Sequence, residues 1–160
     1  MKTLITLLAL TATLYTQAAE HPDLKTEITW ADKIGLDTLA VARTTDMERF
    51  EFSAAARLSY DLTARLALVG EIEWSEFSGK TLVDSTLAGL KFSFPTRIVR
   101  PYLIGGIGWK LPANAEYLAG GGGLEVALGK SWRVFAEALA EKTVNTDASL
   151  RVGGGVGFRF

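Results

Sequence analysis

The chain has 160 residues, enough for one domain, and a formal net charge of −1 from 17 basic and 18 acidic residues. That balance gives no electrostatic reason to expect a nucleic-acid partner. It contains no cysteine, which excludes disulfides, thiolate metal sites and a lipid anchor on an N-terminal cysteine, and its one histidine, His21, leaves no zinc cluster and no Ser-His-Asp triad.

The first segment reads as a leader. Lys2 supplies a positive start, Leu4 to Leu14 an apolar stretch, and Thr16-Gln17-Ala18 or Gln17-Ala18-Ala19 a small-residue cleavage site. The apolar run is short of the roughly 20 residues of a spanning helix, and no later segment reaches ~18 apolar residues. The expected organisation is a signal peptide over residues 1–19 and one β domain over residues 20–160.

The remainder alternates with a period of two. One strand is expected within residues 24–45, where Ile28-Thr29-Trp30 and Leu39-Ala40-Val41-Ala42-Arg43 both look extended. From Phe50 to Tyr60, Phe, Phe, Ala, Ala, Leu and Tyr occupy even positions, while Glu51, Ser53, Arg57 and Ser59 are odd. In a strand those sets face opposite ways. After a turn at Asp61-Leu62, Thr63 to Trp74 sets Leu66, Leu68 and Ile72 against Arg65, Glu71 and Glu73. Beyond the Ser78-Gly79-Lys80 loop, Leu82 to Phe94 sets Leu90, Phe92 and Phe94 against Ser85, Lys91 and Ser93.

Pro95 to Pro101 reads as a turn, followed by Tyr102 to Trp109, whose glycines leave its inward face open. Tyr117 to Leu128 opposes Leu118, Leu124 and Val126 to Tyr117 and Glu125. Trp132 to Thr143 opposes Val134, Ala136 and Ala138 to Arg133, Glu137 and Glu141. The last strand, Leu150 to Phe160, opposes Val152, Val156, Phe158 and Phe160 to Arg151 and Arg159. With the strand in 24–45 the count is eight, and the segments are long enough to cross a bilayer at a tilt.

Alternation alone fits a soluble barrel with its apolar face inside as well as a membrane barrel with that face outside. Three features favour the membrane arrangement. Aromatics gather at strand ends, among them Phe50, Tyr60, Trp74, Phe77, Phe92, Phe94, Tyr102, Trp109, Tyr117, Trp132, Phe158 and Phe160, as interfacial girdles require. The polar face mixes small residues with a few charges, which suits a crowded lumen better than a water-facing exterior. A leader precedes it all. The fold expected is an all-β, eight-stranded, antiparallel up-and-down transmembrane barrel.

Three segments carry a family resemblance. Arg100-Pro101-Tyr102-Leu103-Ile104-Gly105-Gly106-Ile107-Gly108-Trp109, Gly121 to Arg133, and the ending Val152-Gly153-Gly154-Gly155-Val156-Gly157-Phe158-Arg159-Phe160 resemble successive strands of OmpA-like outer-membrane β-barrel domains. The resemblance covers roughly residues 45 to 160. It implies eight strands, both termini in the periplasm, and an assembly signal at Phe158 and Phe160. It implies no particular activity, since the family includes structural anchors, adhesins and small channels. No peptidoglycan-binding domain is expected after the barrel.

Little enzymatic chemistry is legible. Lipid A-modifying barrel enzymes resemble this chain in architecture but use a histidine-assisted hydroxyl, and His21 lies near the N-terminus beside Pro22. Glycines at 105–108, 120–123 and 153–157 lack the Gly-Lys-Ser/Thr ending of a phosphate loop and read as close strand packing. Glu71 and Glu73 have a spacing open to a glycosidase pair or an ion site, but in an Arg-rich lumen it reads as salt bridging.

The charges expected inside are Arg57, Arg65, Glu71, Glu73, Lys91, Glu125, Arg133, Glu137, Glu141, Arg151 and Arg159, with Glu125–Arg133 and Glu137–Arg151 flanking two hairpins. No catalytic residue, cofactor or metal is expected. The partners expected are outer-membrane lipids and the outer-membrane insertion machinery, with no specific small-molecule or protein ligand indicated. The function expected is a non-enzymatic structural or surface-binding barrel of the bacterial outer membrane. A narrow pore and, more remotely, a lipid-modifying enzyme are the alternatives.

Overall fold

The computed structural model of the chain describes residues 33–160 except 46–48, 78–79, 95–98, 112 and 144–147. The leader, His21 and the Ile28-Thr29-Trp30 segment lie outside the described residues. Eight strands follow one another: β1 (Ile34–Thr44), β2 (Glu51–Asp61), β3 (Leu66–Phe77), β4 (Lys80–Ser93), β5 (Val99–Lys110), β6 (Ala115–Ala127), β7 (Trp132–Thr143) and β8 (Ser149–Arg159). Each pairs antiparallel with the next, and β1 pairs with β8 to close a barrel. Closure leaves no free sheet edge.

The first strand is the one the sequence marks least. Its inward positions mix Gly35, Asp37, Leu39, Val41 and Arg43, while Thr38, Ala40 and Ala42 point the other way. Neither set is uniformly polar, so no clean alternation announces it.

Two strand starts differ from the sequence reading for local reasons, and one strand carries an irregularity. β3 begins at Leu66, because residues 62–65 form a turn in which Thr63 Oγ1 accepts from the backbone N–H groups of Arg65 and Leu66 at 3.2 and 3.0 Å. β5 begins at Val99, so Pro101 belongs to the strand and not to a turn. Proline lacks a ladder donor and is tolerated near a strand start, and its carbonyl still accepts from Phe94 N at 2.9 Å. β4 carries an irregularity opposite Glu73 and Trp74, where the register shifts by one residue. The β6–β7 turn places Gly129 at φ +108°, a conformation that glycine adopts without steric penalty.

The barrel is turned inside out relative to a soluble protein. Large apolar side chains face outward, with Phe52 75% and Leu118 63% exposed. Phe92–Phe94, Trp132–Phe158 and Phe158–Phe160 meet edge-to-face at the rim where β1 begins and β8 ends. Phe52, Trp74 and Trp109 lie towards the opposite ends of their strands. Tyr102 and Tyr117 depart from the expected girdle: both are buried inside the barrel. Each faces a glycine directly across the β5–β6 ladder, Tyr102 opposite Gly123 and Tyr117 opposite Gly108. A Cβ on either glycine would meet the tyrosine ring. The glycine runs thus make room for large interior side chains as well as for close strands.

Candidate functional site: the ion-paired lumen

The interior holds an apolar layer and a dense set of charges. Leu39, Val41, Ala55, Val69, Tyr102, Ile104, Phe135 and Leu139 form the larger buried cluster. Around them lie the carboxylates Asp37, Glu71, Glu73, Glu125, Glu137 and Glu141 and the cations Arg43, Arg57, Lys91, Lys110, Arg133 and Arg151. Six of each sign cancel in this set, to which Arg100 and the Arg159–Asp61 pair at the rim do not belong. Neutrality matters because an unpaired charge in so narrow a space would carry a desolvation penalty of several kcal/mol.

The central cluster joins β2, β3, β7 and β8 across the lumen. Arg57, 1% exposed, donates two parallel bonds to Glu137 at 2.8 and 2.5 Å and one to Glu71 at 2.8 Å. This two-pronged contact is the strong geometry for a guanidinium and a carboxylate. Arg151 donates to the other oxygen of Glu71 at 2.5 Å, and Tyr102 Oη donates to Glu137 at 2.8 Å. Among the described residues Nε of Arg151 has no hydrogen-bond partner, but it lies 3.5 Å from Glu73.

Towards the β1–β2 connection, Arg43 bridges Glu73 and Glu141, both at 2.9 Å. Ser53 and Ser85 also donate to Glu73, at 2.5 and 3.3 Å, and Lys110 lies 3.7 Å from Glu141. Towards the chain ends, Arg133 donates twice to one oxygen of Asp37, at 3.0 and 2.7 Å, and Lys91 donates to Glu125 at 2.7 Å. The Lys91 ammonium also sits 4.1 Å from the Tyr102 ring centroid. At the rim, Arg159 pairs with Asp61 at 2.8 Å.

All the charges expected inside occupy inward-facing positions except Arg65, which is exposed in the 62–65 turn and belongs to no ion pair among the described residues. The reason is the turn itself: the chain leaves the ladder before Leu66, so the alternation that would direct Arg65 inward has not begun. The two hairpin pairs exist only at longer range, Glu125–Arg133 at 3.7 Å and Glu137–Arg151 at 3.5 Å. Shorter partners lie across the barrel. An eight-stranded barrel is narrow enough for long side chains to reach over the lumen, so sequence neighbours are not the preferred partners. Glu71 and Glu73 are both committed to arginines rather than aimed at a vacant site. Among the described residues no group of acids is arranged to hold a metal ion.

Sequence reading missed Asp37, Arg43, Asp61, Tyr102 and Lys110. A signal existed for two of them. Arg100, Tyr102, Ile104 and Lys110 share one parity along β5, and a charge at each end of that set marks its inward face despite the glycines.

No family model matches the chain, and no curated protein matches it. Solved structures do. The N-terminal β-barrel domain of Pseudomonas aeruginosa OprF superposes with a TM-score of 0.60 at 15% identity, covering 79% of this chain and 97% of that one. Neisserial surface protein A gives 0.59 at 16% identity, covering 79% and 96%. A de novo designed transmembrane β-barrel gives 0.57 at 14%, covering 79% and 95%. The chain therefore has the eight-stranded fold of the small outer-membrane barrels, the architecture implied by its OmpA-like segments.

Proposed function

We infer that this chain is a non-enzymatic barrel of the bacterial outer membrane, working as a sealed envelope scaffold whose rims, not its lumen, are available for binding. The observation that carries this reading is the central cluster. Arg57, Glu137, Glu71 and Arg151 span the lumen and are hydrogen-bonded to one another, with Tyr102 closing on Glu137. A solute would have to break several charge-assisted bonds to pass, each worth roughly 1.5–3 kcal/mol.

The membrane setting is supported by the outward band of leucine, isoleucine, valine and phenylalanine, far larger than the apolar patches a soluble monomer leaves uncovered. The leader expected over residues 1–19 supports export. The non-enzymatic reading is supported by the commitment of the buried carboxylates among the described residues to cations.

Two measurements test the proposal. Cells expressing the chain should yield it in the detergent-extracted envelope with heat-modifiable gel mobility; recovery in the soluble periplasm overturns the location. Purified protein in planar bilayers should show no steady single-channel steps; regular conductance overturns the sealed lumen in favour of the pore.

A further inference from the structure

Where β1 begins and β8 ends, the barrel opens into a vestibule of about 340 Å³. Its wall includes Arg65, Arg100 and Arg159, with Lys91 and Arg133 at its floor. The carboxylates in its wall are already engaged, Glu125 with Lys91 at 2.7 Å and Asp61 with Arg159 at 2.8 Å, and Asp37, outside the wall, holds Arg133 at 2.7 Å. Five cations thus meet three carboxylates. Arg65 and Arg100 are the surplus, and among the described residues neither forms an ion pair.

The backbone beside both is anchored. The Arg65 carbonyl accepts from Ser93 N at 2.7 Å, and Phe94 N donates to the Pro101 carbonyl at 2.9 Å, so the ends of β3, β4 and β5 are tied together. The Thr63 hydroxyl caps the turn that presents Arg65. Ser59, Thr63 and Ser93 also line the vestibule and add hydroxyls.

We propose that this vestibule binds a phosphate-type dianion, a phosphomonoester or a phosphate-bearing headgroup, between Arg65 and Arg100. Two uncompensated guanidinium groups match a dianion in charge, and their planar forks match phosphate oxygens in geometry. Hydroxyl donors and a cavity open to solvent leave room for a small substituent on the phosphate. The site lies at the rim and needs no passage through the sealed centre, so it stands whether or not the lumen conducts.

The test uses the full chain folded in neutral detergent and titrated calorimetrically with inorganic phosphate, against chloride at matched ionic strength. Saturable binding is expected, weakened about tenfold by R65A and by R100A separately, as expected for loss of a charge-assisted contact. R49A, exposed near the opposite rim, should bind like the parent. Arg65 is exposed and unpaired, so its variant keeps the fold. Repeating the titration with glycerol 1-phosphate and with short-chain phosphatidic acid separates the sources: tighter binding of the phosphatidic acid, weakened in R65A and R100A, indicates a phosphate-bearing headgroup, and equal binding indicates a free solute, both in support. Absence of saturable binding, or R65A and R100A binding like the parent, overturns the proposal.

Discussion

The ring of Tyr102 lies over Gly123, its partner across the β5–β6 ladder, and its hydroxyl donates to Glu137 at 2.8 Å. The glycine and the tyrosine form one device. The missing side chain lets the ring lie flat against the strand, and the ring delivers a donor to a carboxylate that Arg57 also holds. A Cβ at Gly123 would meet the Tyr102 ring and the Ala136 carbonyl.

Gly123→Ala should therefore lower stability by about 1–3 kcal/mol, the usual range for overpacking. Tyr102→Phe keeps the ring and removes the donor, and should cost about 1 kcal/mol. Urea titrations in detergent micelles, followed by gel mobility, compare them. A Gly123→Ala variant as stable as the parent would show that the ring relocates freely.

Glu137→Ala strips Arg57 of its two-pronged partner and leaves only Glu71 nearby. The expected loss is about 3–5 kcal/mol, since a buried charge is left under-compensated. A paired Arg57→Met, Glu137→Leu variant should recover much of that loss, because apolar replacement of a whole buried pair is often neutral. Failure of the double variant to improve on Glu137→Ala would mean that Tyr102 and Arg151 depend on the carboxylate as much as Arg57 does.

Arg65 and Arg133 make a contrast within one end of the barrel. Arg133 is buried and donates twice to Asp37, whereas Arg65 is exposed. Arg133→Ala should cost about 3–5 kcal/mol, and Arg65→Ala less than about 0.5 kcal/mol. Equal losses would put Arg65 in the interior network after all.

The outward face answers to a different substitution. Ile72 sits near the middle of β3 and is 50% exposed. In a bilayer, Ile72→Arg should cost about 2–4 kcal/mol. On a soluble barrel the same change would stay within about 0.5 kcal/mol. Refolding into phospholipid vesicles, with the folded fraction read by heat-modifiable mobility, distinguishes the two.

Phe160 follows β8, its backbone N–H donating to the Ile34 carbonyl at 3.2 Å and its ring edge-on to Phe158. The OmpA-like resemblance reads this pair as the assembly signal. Deleting Phe160 should slow assembly and leave more chain open to periplasmic proteolysis, scored by pulse-chase and protease challenge. Unchanged folded yield at normal expression would remove that role.

The amino-acid sequence by itself determined the barrel, because a strand's side-chain period is two whatever its surroundings. The sets Leu66-Leu68-Ile72 against Glu71-Glu73, and Val134-Ala136-Ala138 against Arg133-Glu137-Glu141, therefore separate the two faces of each strand without coordinates. The same rule loses its grip where small residues dilute the contrast, which is why the inward face of β5 and the limits of β1 stayed open. Only the tertiary structure decided which charge meets which. Arg57 and Glu137 lie on β2 and β7, Arg133 and Asp37 on β7 and β1, and no local spacing encodes either pair. Those partners are set by how far a long side chain reaches across a closed barrel, a distance that exists only once β1 has found β8.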